Sequence, residues 1–356
     1  MFNLKLGREE LQVNCHPQYQ VEGQRISREL KDYDLANHYL LFSSGTTGHY
    51  LKGYALSQKA LMANAKAVNE HFQLTSKDVW GLSLPVYHVG GFSVLMRAQL
   101  LGNNIVDCRQ LDSLQWLDKI KEVTISTIVP TQLHDLVMMK LEAPSKLKYL
   151  IVGGDLLSSE LKQMAMDLGW PVIRTFGMTE VCSQLASAST VDSDILHVLP
   201  IHRAKINQEN RLLVKSPALF TLQFLQEEKL KIQTVADLSD QDGYYVTNDR
   251  VKLNNNIILP MGRFDAQYKI SGHLVNFNYL RDAFYTFQLQ HGHSGKMEFV
   301  LEEDVRKGKK LVLLHLRNAL DKEILAAIGA LILPVKIDEV REVKEFKRTE
   351  LGKLRG

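Results

Sequence analysis

Apolar positions in the first half of the chain fall in short runs separated by helical patterns. "HYLLFSS" (38–44) is an apolar run closing on a polar loop, as expected of a buried strand. Ser57 can cap a helix whose Leu61, Ala65, Val68 and Phe72 share one face. "VWGLSLP", "NNIVDC", "ISTIVP", "KYLIVGGD" and "PVIRTFG" repeat the short-run theme. Helical patterns follow Asp112 and Pro130, and an amphipathic segment, 158–168, separates the last two runs. This alternation predicts an α/β fold: a mostly parallel sheet sandwiched by helices, with ligands at the C-terminal ends of its strands.

Near Leu196 the pattern shortens to alternating runs such as "RLLVKS" and "YYVTNDRVKL", with a turn at Asn254–Asn256. These predict antiparallel strands. From Gly262 onward come a hairpin-like stretch, a helix around Tyr279–Tyr285, strands "MEFVLEE" and "KLVLLHL", a helix from Asp321, and a basic end. A boundary at Gly262–Asp265 divides a large domain, 1–262, from a small α+β domain, 263–356.

A length of 356 residues suits two domains. A net charge of +3 is small for that size and gives no reason to expect a nucleic-acid or membrane partner. Cys15, Cys108 and Cys182 lie far apart without metal or redox spacing, which fits a reducing compartment. The start of the chain lacks the apolar run of a signal peptide, and the longest apolar stretch, Ile324 to Val335, is too short to span a bilayer. A cytoplasmic protein is expected. Oligomeric state is open, a homodimer included.

"SSGTTGHYLKG" (43–53) has the composition of a loop whose backbone N–H groups converge on an anion. It is not a Walker A loop, because Lys52 stands four residues after Gly48 and Gly53 follows where Ser or Thr would hold magnesium. A polar turn between a strand and a helix accounts for it equally well on composition alone.

Six further stretches follow in order: "LPVYHVGGF" (84–92), "IVGGDLL" (151–157), "FGMTE" (176–180), "DGYYVTND" (242–249), "GRFD" (262–265) and "RTELGKLR" (348–355). With the loop they resemble the adenylate-forming superfamily, the acyl-CoA synthetases and their relatives, from about Leu41 to the last residue. The resemblance implies that ATP activates a carboxylate as an acyl adenylate, with pyrophosphate released, before a second nucleophile takes the acyl group. Carboxylate and triphosphate are both anions, so such a site must neutralise charge before one attacks the other.

By that resemblance Ser43, Ser44, Gly45, Thr46, Thr47 and Gly48 wrap the β- and γ-phosphates, with Lys52 as a nearby cation. Gly153, Gly154 and Asp155 line the adenine and acyl pockets, where absent side chains let a flat ring approach; Phe176, Gly177 and Met178 belong to the same ATP site. Thr179 touches the α-phosphate and Glu180 holds Mg2+. Asp249 accepts from the ribose hydroxyls beside Arg263. His88 lies near the acyl carboxylate and the thiol entry path, as a positioning group more than an acid–base one. Asp265 is the hinge of a mobile C-terminal domain, whose Lys353 neutralises charge between carboxylate and phosphate.

The segment 84–103 is similar to the o-succinylbenzoate–CoA ligases of menaquinone biosynthesis. This implies ATP, Mg2+ and CoA as participants and a small dicarboxylic acid as substrate. Arg97 then meets the carboxylate that is not activated, because a buried anion needs a cation; otherwise it is a surface arginine on a helix. The chain departs from the family pattern at several points. Tyr50 and Leu51 replace a single proline, Asn248 a glycine, Ala266 an aspartate and Lys347 a proline. The phosphate loop also begins much earlier than is usual, so an abbreviated but active enzyme is expected.

Overall fold

The computed structural model describes residues 11–42, 51–155, 157–226, 229–270, 273–304 and 308–346. Five parallel strands form one half of a large sheet, side by side in the order Asn104–Asp107, Val79–Leu82, Ile125–Ile128, Tyr149–Val152 and Val172–Met178. The chain then reverses. Ser183–Ser187, Leu196–Val198, Ile257–Arg263, Tyr245–Asn254, Arg211–Lys215 and Arg203–Ile206 continue the same sheet with antiparallel pairing. The fold is α/β, as the alternating pattern predicts, and within this large sheet parallel pairing is confined to the half built from residues 79–178.

Successive side chains on the parallel strands supply two cores. Ile151 packs with Ile125, Ile173 and the helices Gln58–His71 and Val89–Leu101, whereas Leu150 and Val152 pack on the opposite face. There they meet Trp116, Leu133, Val137 and Leu161 from the helices Ser113–Lys119, Pro130–Met138 and Ser159–Asp167. Adjacent strand residues point to opposite faces, so a sheet buried on both sides must be apolar at consecutive positions. Local capping agrees with the sequence. Ser57 Oγ accepts from Ala60 N, Asp112 from Leu114 N and Gln115 N, and Asp321 from Ile324 N.

The "HYLLF" strand is fully buried, but it does not join the parallel sheet. It belongs to a separate sheet of Gln12–Asn14, His38–Phe42, Leu51–Ser57, Leu222–Gln226 and Leu230–Thr234. Residues 51–53, the end of the polar loop in the sequence reading, instead open a strand, Leu51–Ser57, antiparallel to His38–Phe42. The polar segment 43–50, which lies outside the described residues, therefore links two strands of one sheet.

Residues 267–343 carry a third sheet, ordered His273–Asn276, Gln267–Ile270, Gly308–Leu316, Met297–Asp304, with Glu339–Val343 also paired to Gly308–Leu316. It has its own core, including Phe284, Phe299, Leu313 and Ile328. The helix Phe277–Gln290 leans on the large unit: Tyr285 and Leu289 reach its second core, the Tyr285 ring meets His134, and His134 Nε2 is hydrogen-bonded to Ser294 Oγ. Among the described residues no helix is long and apolar enough to cross a membrane.

Candidate active site

The parallel strand Val172–Met178 delivers Phe176, Gly177 and Met178 to its C-terminal end, and one 3-10 turn, Thr179–Val181, follows. The return strand begins under strain, with Cys182 at φ 61° and Ser183 at φ 128°. Non-glycine residues there cost on the order of 1–3 kcal/mol each and persist only where the surroundings hold them. Asn64, wholly buried on the Gln58–His71 helix, does the holding: its Nδ2 donates to Val181 O at 3.0 Å and Gln184 O at 2.7 Å. Gly177 is required by the same turn, because a Cβ there would stand 2.0 Å from Ser183 O.

This turn carries Glu180 inward. The side chain is buried, Phe220 N donates to its backbone carbonyl at 3.0 Å, and Tyr54 Oη donates to its Oε1 at 2.6 Å. Tyr54, from the Leu51–Ser57 strand, has no counterpart among the sequence candidates. Burial and the Glu180 charge push its phenol far above the usual tyrosine range, so it remains a donor.

A second acidic group faces Glu180 from the antiparallel half of the sheet. Asp249 and Arg263 are paired opposite one another on neighbouring strands, with Arg263 Nη1 3.5 Å from Asp249 Oδ2. Arg263 grips Asp265 more tightly, through Nε to Oδ1 and Nη2 to Oδ2, both at 2.7 Å. These bonds raise the guanidinium above its usual range. Burial pushes Asp249 up to about 6, against the pull of Arg263 and with the support of the Glu180 and Asp265 charges. Burial works the same way on Asp265, but Arg263 outweighs it and holds that carboxyl below the ordinary range. Lys52 lies close enough for its charge to favour both carboxylates, and its Nζ sits 5.3 Å from the centre of the Tyr54 ring.

Five sequence candidates, Lys52, Glu180, Asp249, Arg263 and Asp265, thus converge on one charged cluster, joined by Tyr54. Thr179 is half-buried beside them in the turn. Gly153 ends the Tyr149–Val152 strand, where a Cβ would strike the Thr175 methyl at 2.6 Å. The missing side chain there makes room for the neighbouring strand. Gly154 follows at φ 86°, and Asp155 is exposed. Ser43, Ser44, Gly45, Thr46, Thr47, Gly48 and Lys353 lie outside the described residues.

Arg97 is not a surface residue. On the helix Val89–Leu101 it is 1% exposed, its guanidinium lies 5.6 Å from the Trp80 ring, and its Nη2 donates to the strained Ser183 at 3.1 Å. Among the described residues no carboxylate pairs with it, Nε has no partner, and burial lowers its pKa to about 9. His88 stands at the start of the same helix without capping it, its ring 4.8 Å from Tyr87.

Among the described residues no group of three His, Cys, Asp or Glu side chains could hold a metal by itself. One oriented, buried carboxylate does suit Mg2+, which is commonly held by one or two carboxylates, substrate phosphates and water. Glu180 fits that role.

A model of the AMP-binding enzyme family matches residues 7–213, more than half of the chain. The chain belongs to this family. A 2-succinylbenzoate–CoA ligase of Staphylococcus epidermidis is 30% identical over 228 residues, covering 61% of this chain and 47% of that protein. The chain therefore spans about half the length of such a relative. The o-succinylbenzoate coenzyme A synthetase MenE of Bacillus subtilis, solved with AMP, shares the fold at a TM-score of 0.72 and 21% identity, covering 89% of this chain and 67% of that one. ATP-bound MatB of Rhodopseudomonas palustris does so at 0.72 and 19%, covering 97% and 77%. Solved proteins with different names thus share this fold.

Proposed function

We propose that the chain is an ATP-dependent, AMP-forming acid–CoA ligase acting on 2-succinylbenzoate in the cytoplasm. The observation that carries the substrate class is Arg97, a buried guanidinium with no carboxylate partner among the described residues. A dicarboxylic acid brings one carboxylate to be activated and a second to complete that pair. The names of the curated relatives support the same acid.

In this reading the loop 43–48 and Lys52 take the β- and γ-phosphates, Thr179 the α-phosphate, and Asp249 with Arg263 the ribose. Gly153, Gly154, Asp155, Phe176, Gly177 and Met178 border the adenine and acyl groups. Glu180 would hold Mg2+, which when bound offsets the triphosphate charge. His88 positions the acyl carboxylate and the approaching CoA thiol. Residues 263–356 form the moving domain, turning at Asp265 and bringing Lys353 to the reacting carboxylate in the first half-reaction.

Pyrophosphate release across a panel of acids, with and without CoA, tests the reading. Release that depends on 2-succinylbenzoate, followed by a CoA adduct of the matching mass, is expected. Preference for a monocarboxylic benzoate would overturn the substrate, and ATP binding without release for any acid would overturn the activity.

Asp249 adds a pH dependence. Its folded-state value of about 6 lies above the ordinary 3.8, so the protonated form favours folding at low pH and that contribution is lost as pH rises through this window. Ribose hydroxyls need the ionised acceptor. Affinity for ATP is therefore expected to fall as pH drops below about 6 in the wild type, and Asp249→Asn to remove that share of the fall. Titration of the nucleotide itself is common to both proteins, so parallel pH profiles would refute the assignment.

A further inference from the structure

We infer that Tyr54 is the positioning residue of the Glu180 carboxylate: its phenol holds one oxygen, so that Glu180 offers the other to a divalent cation carried by the nucleotide. This rests on the reading of Glu180 as the metal carboxylate. Its own support is geometric. The hydrogen bond from Tyr54 Oη to Glu180 Oε1 is short, at 2.6 Å, and buried. Bonds from a hydroxyl to an ionised carboxylate are about twice as strong as neutral ones.

Both partners are braced from behind. Tyr54 lies on a strand hydrogen-bonded on both sides, opposite Leu41 and Gln223, and its ring packs edge-on to Phe220 at 5.3 Å. Phe220 in turn donates its backbone N–H to Glu180 O, and Asn64 ties down the adjacent Val181 O. The turn is thus fixed at its backbone and at the tip of its side chain. Packing alone would be satisfied by a phenylalanine at position 54. Among the described residues the hydroxyl adds only the bond to Glu180.

A carboxylate with one oxygen engaged in this way binds a cation through the other. That suits Mg2+, which demands near-ideal octahedral geometry, over the larger Ca2+, which readily takes bidentate carboxylates. Tyr54→Phe should leave the full-length chain folded and free both oxygens.

Calorimetric titration with ATP, in EDTA and in Mg2+ or Ca2+, reads the effect without turnover. The gain in ATP affinity caused by Mg2+ is expected to shrink about tenfold in Tyr54→Phe, with affinity in EDTA unchanged and the preference for Mg2+ over Ca2+ reduced. An undiminished gain would overturn the inference, as would an equal loss in EDTA, which would mark a structural role. Glu180→Gln separates the two levels. If it keeps the wild-type gain, the metal reading is wrong; if it abolishes the gain while Tyr54→Phe does not change it, only the positioning role falls. Should Tyr54→Phe not fold, Glu180→Asp carries the test, because it keeps the charge but withdraws it from the phenol by one methylene. The same loss is then expected, and a full gain would overturn the inference.

Discussion

Arg97→Met is expected to make the protein more stable while removing its preference for a dicarboxylic acid. The guanidinium is almost wholly buried, lies against Trp80, and has only Ser183 as hydrogen-bond partner among the described residues. Burial lowers its pKa to about 9, so holding the charge there costs folding free energy. Replacing buried charge with apolar side chains of similar size gains about 1–4 kcal/mol in other proteins, and methionine covers much of the same stem. The ligand carboxylate, in contrast, would lose its buried counter-charge. Removing one partner of such a pair costs about 2–5 kcal/mol, about thirtyfold or more in kcat/KM. Denaturant unfolding and kinetics on 2-succinylbenzoate and a monocarboxylic benzoate, with one preparation, check both halves. Loss of stability would mean that Arg97 serves Ser183 instead of a ligand. Equal losses for both acids would place it outside the substrate site.

Lys353→Ala is expected to slow adenylation by a factor on the order of a hundred or more, the scale of one preorganised charge contact. Negative charge converges on the α-phosphate only in that half-reaction, where carboxylate and triphosphate meet. Thioester formation from separately supplied acyl adenylate should change much less, since the domain carrying Lys353 would have turned away. Rapid-mix measurement of each half-reaction decides the matter. Equal slowing of both would refute domain alternation, and unchanged adenylation would remove Lys353 from the site.

The sequence by itself determined the elements whose signals are local. Buried parallel strands must be apolar at consecutive positions, so "YLIV" was legible, and Ser57, Asp112 and Asp321 mark helix starts through bonds made within their own first turn. The ordered motifs, through their resemblance to the adenylate-forming superfamily, imply that Glu180, Asp249 and Arg263 share one site, and the structure brings their charges together. Only the tertiary structure decided what depends on partners far along the chain. The strand Leu51–Ser57 forms because His38–Phe42 and Leu222–Gln226 flank it, and one of those neighbours lies well over a hundred residues away. Tyr54 acquires meaning from Glu180, 126 residues on, and no period of 2 or 3.6 encodes such a meeting. Arg97 looks the same in sequence whether it coats a helix or lies buried. The packing of its helix against Trp80 and the strained Ser183 settles which, because burial belongs to the assembled layers and not to the residue.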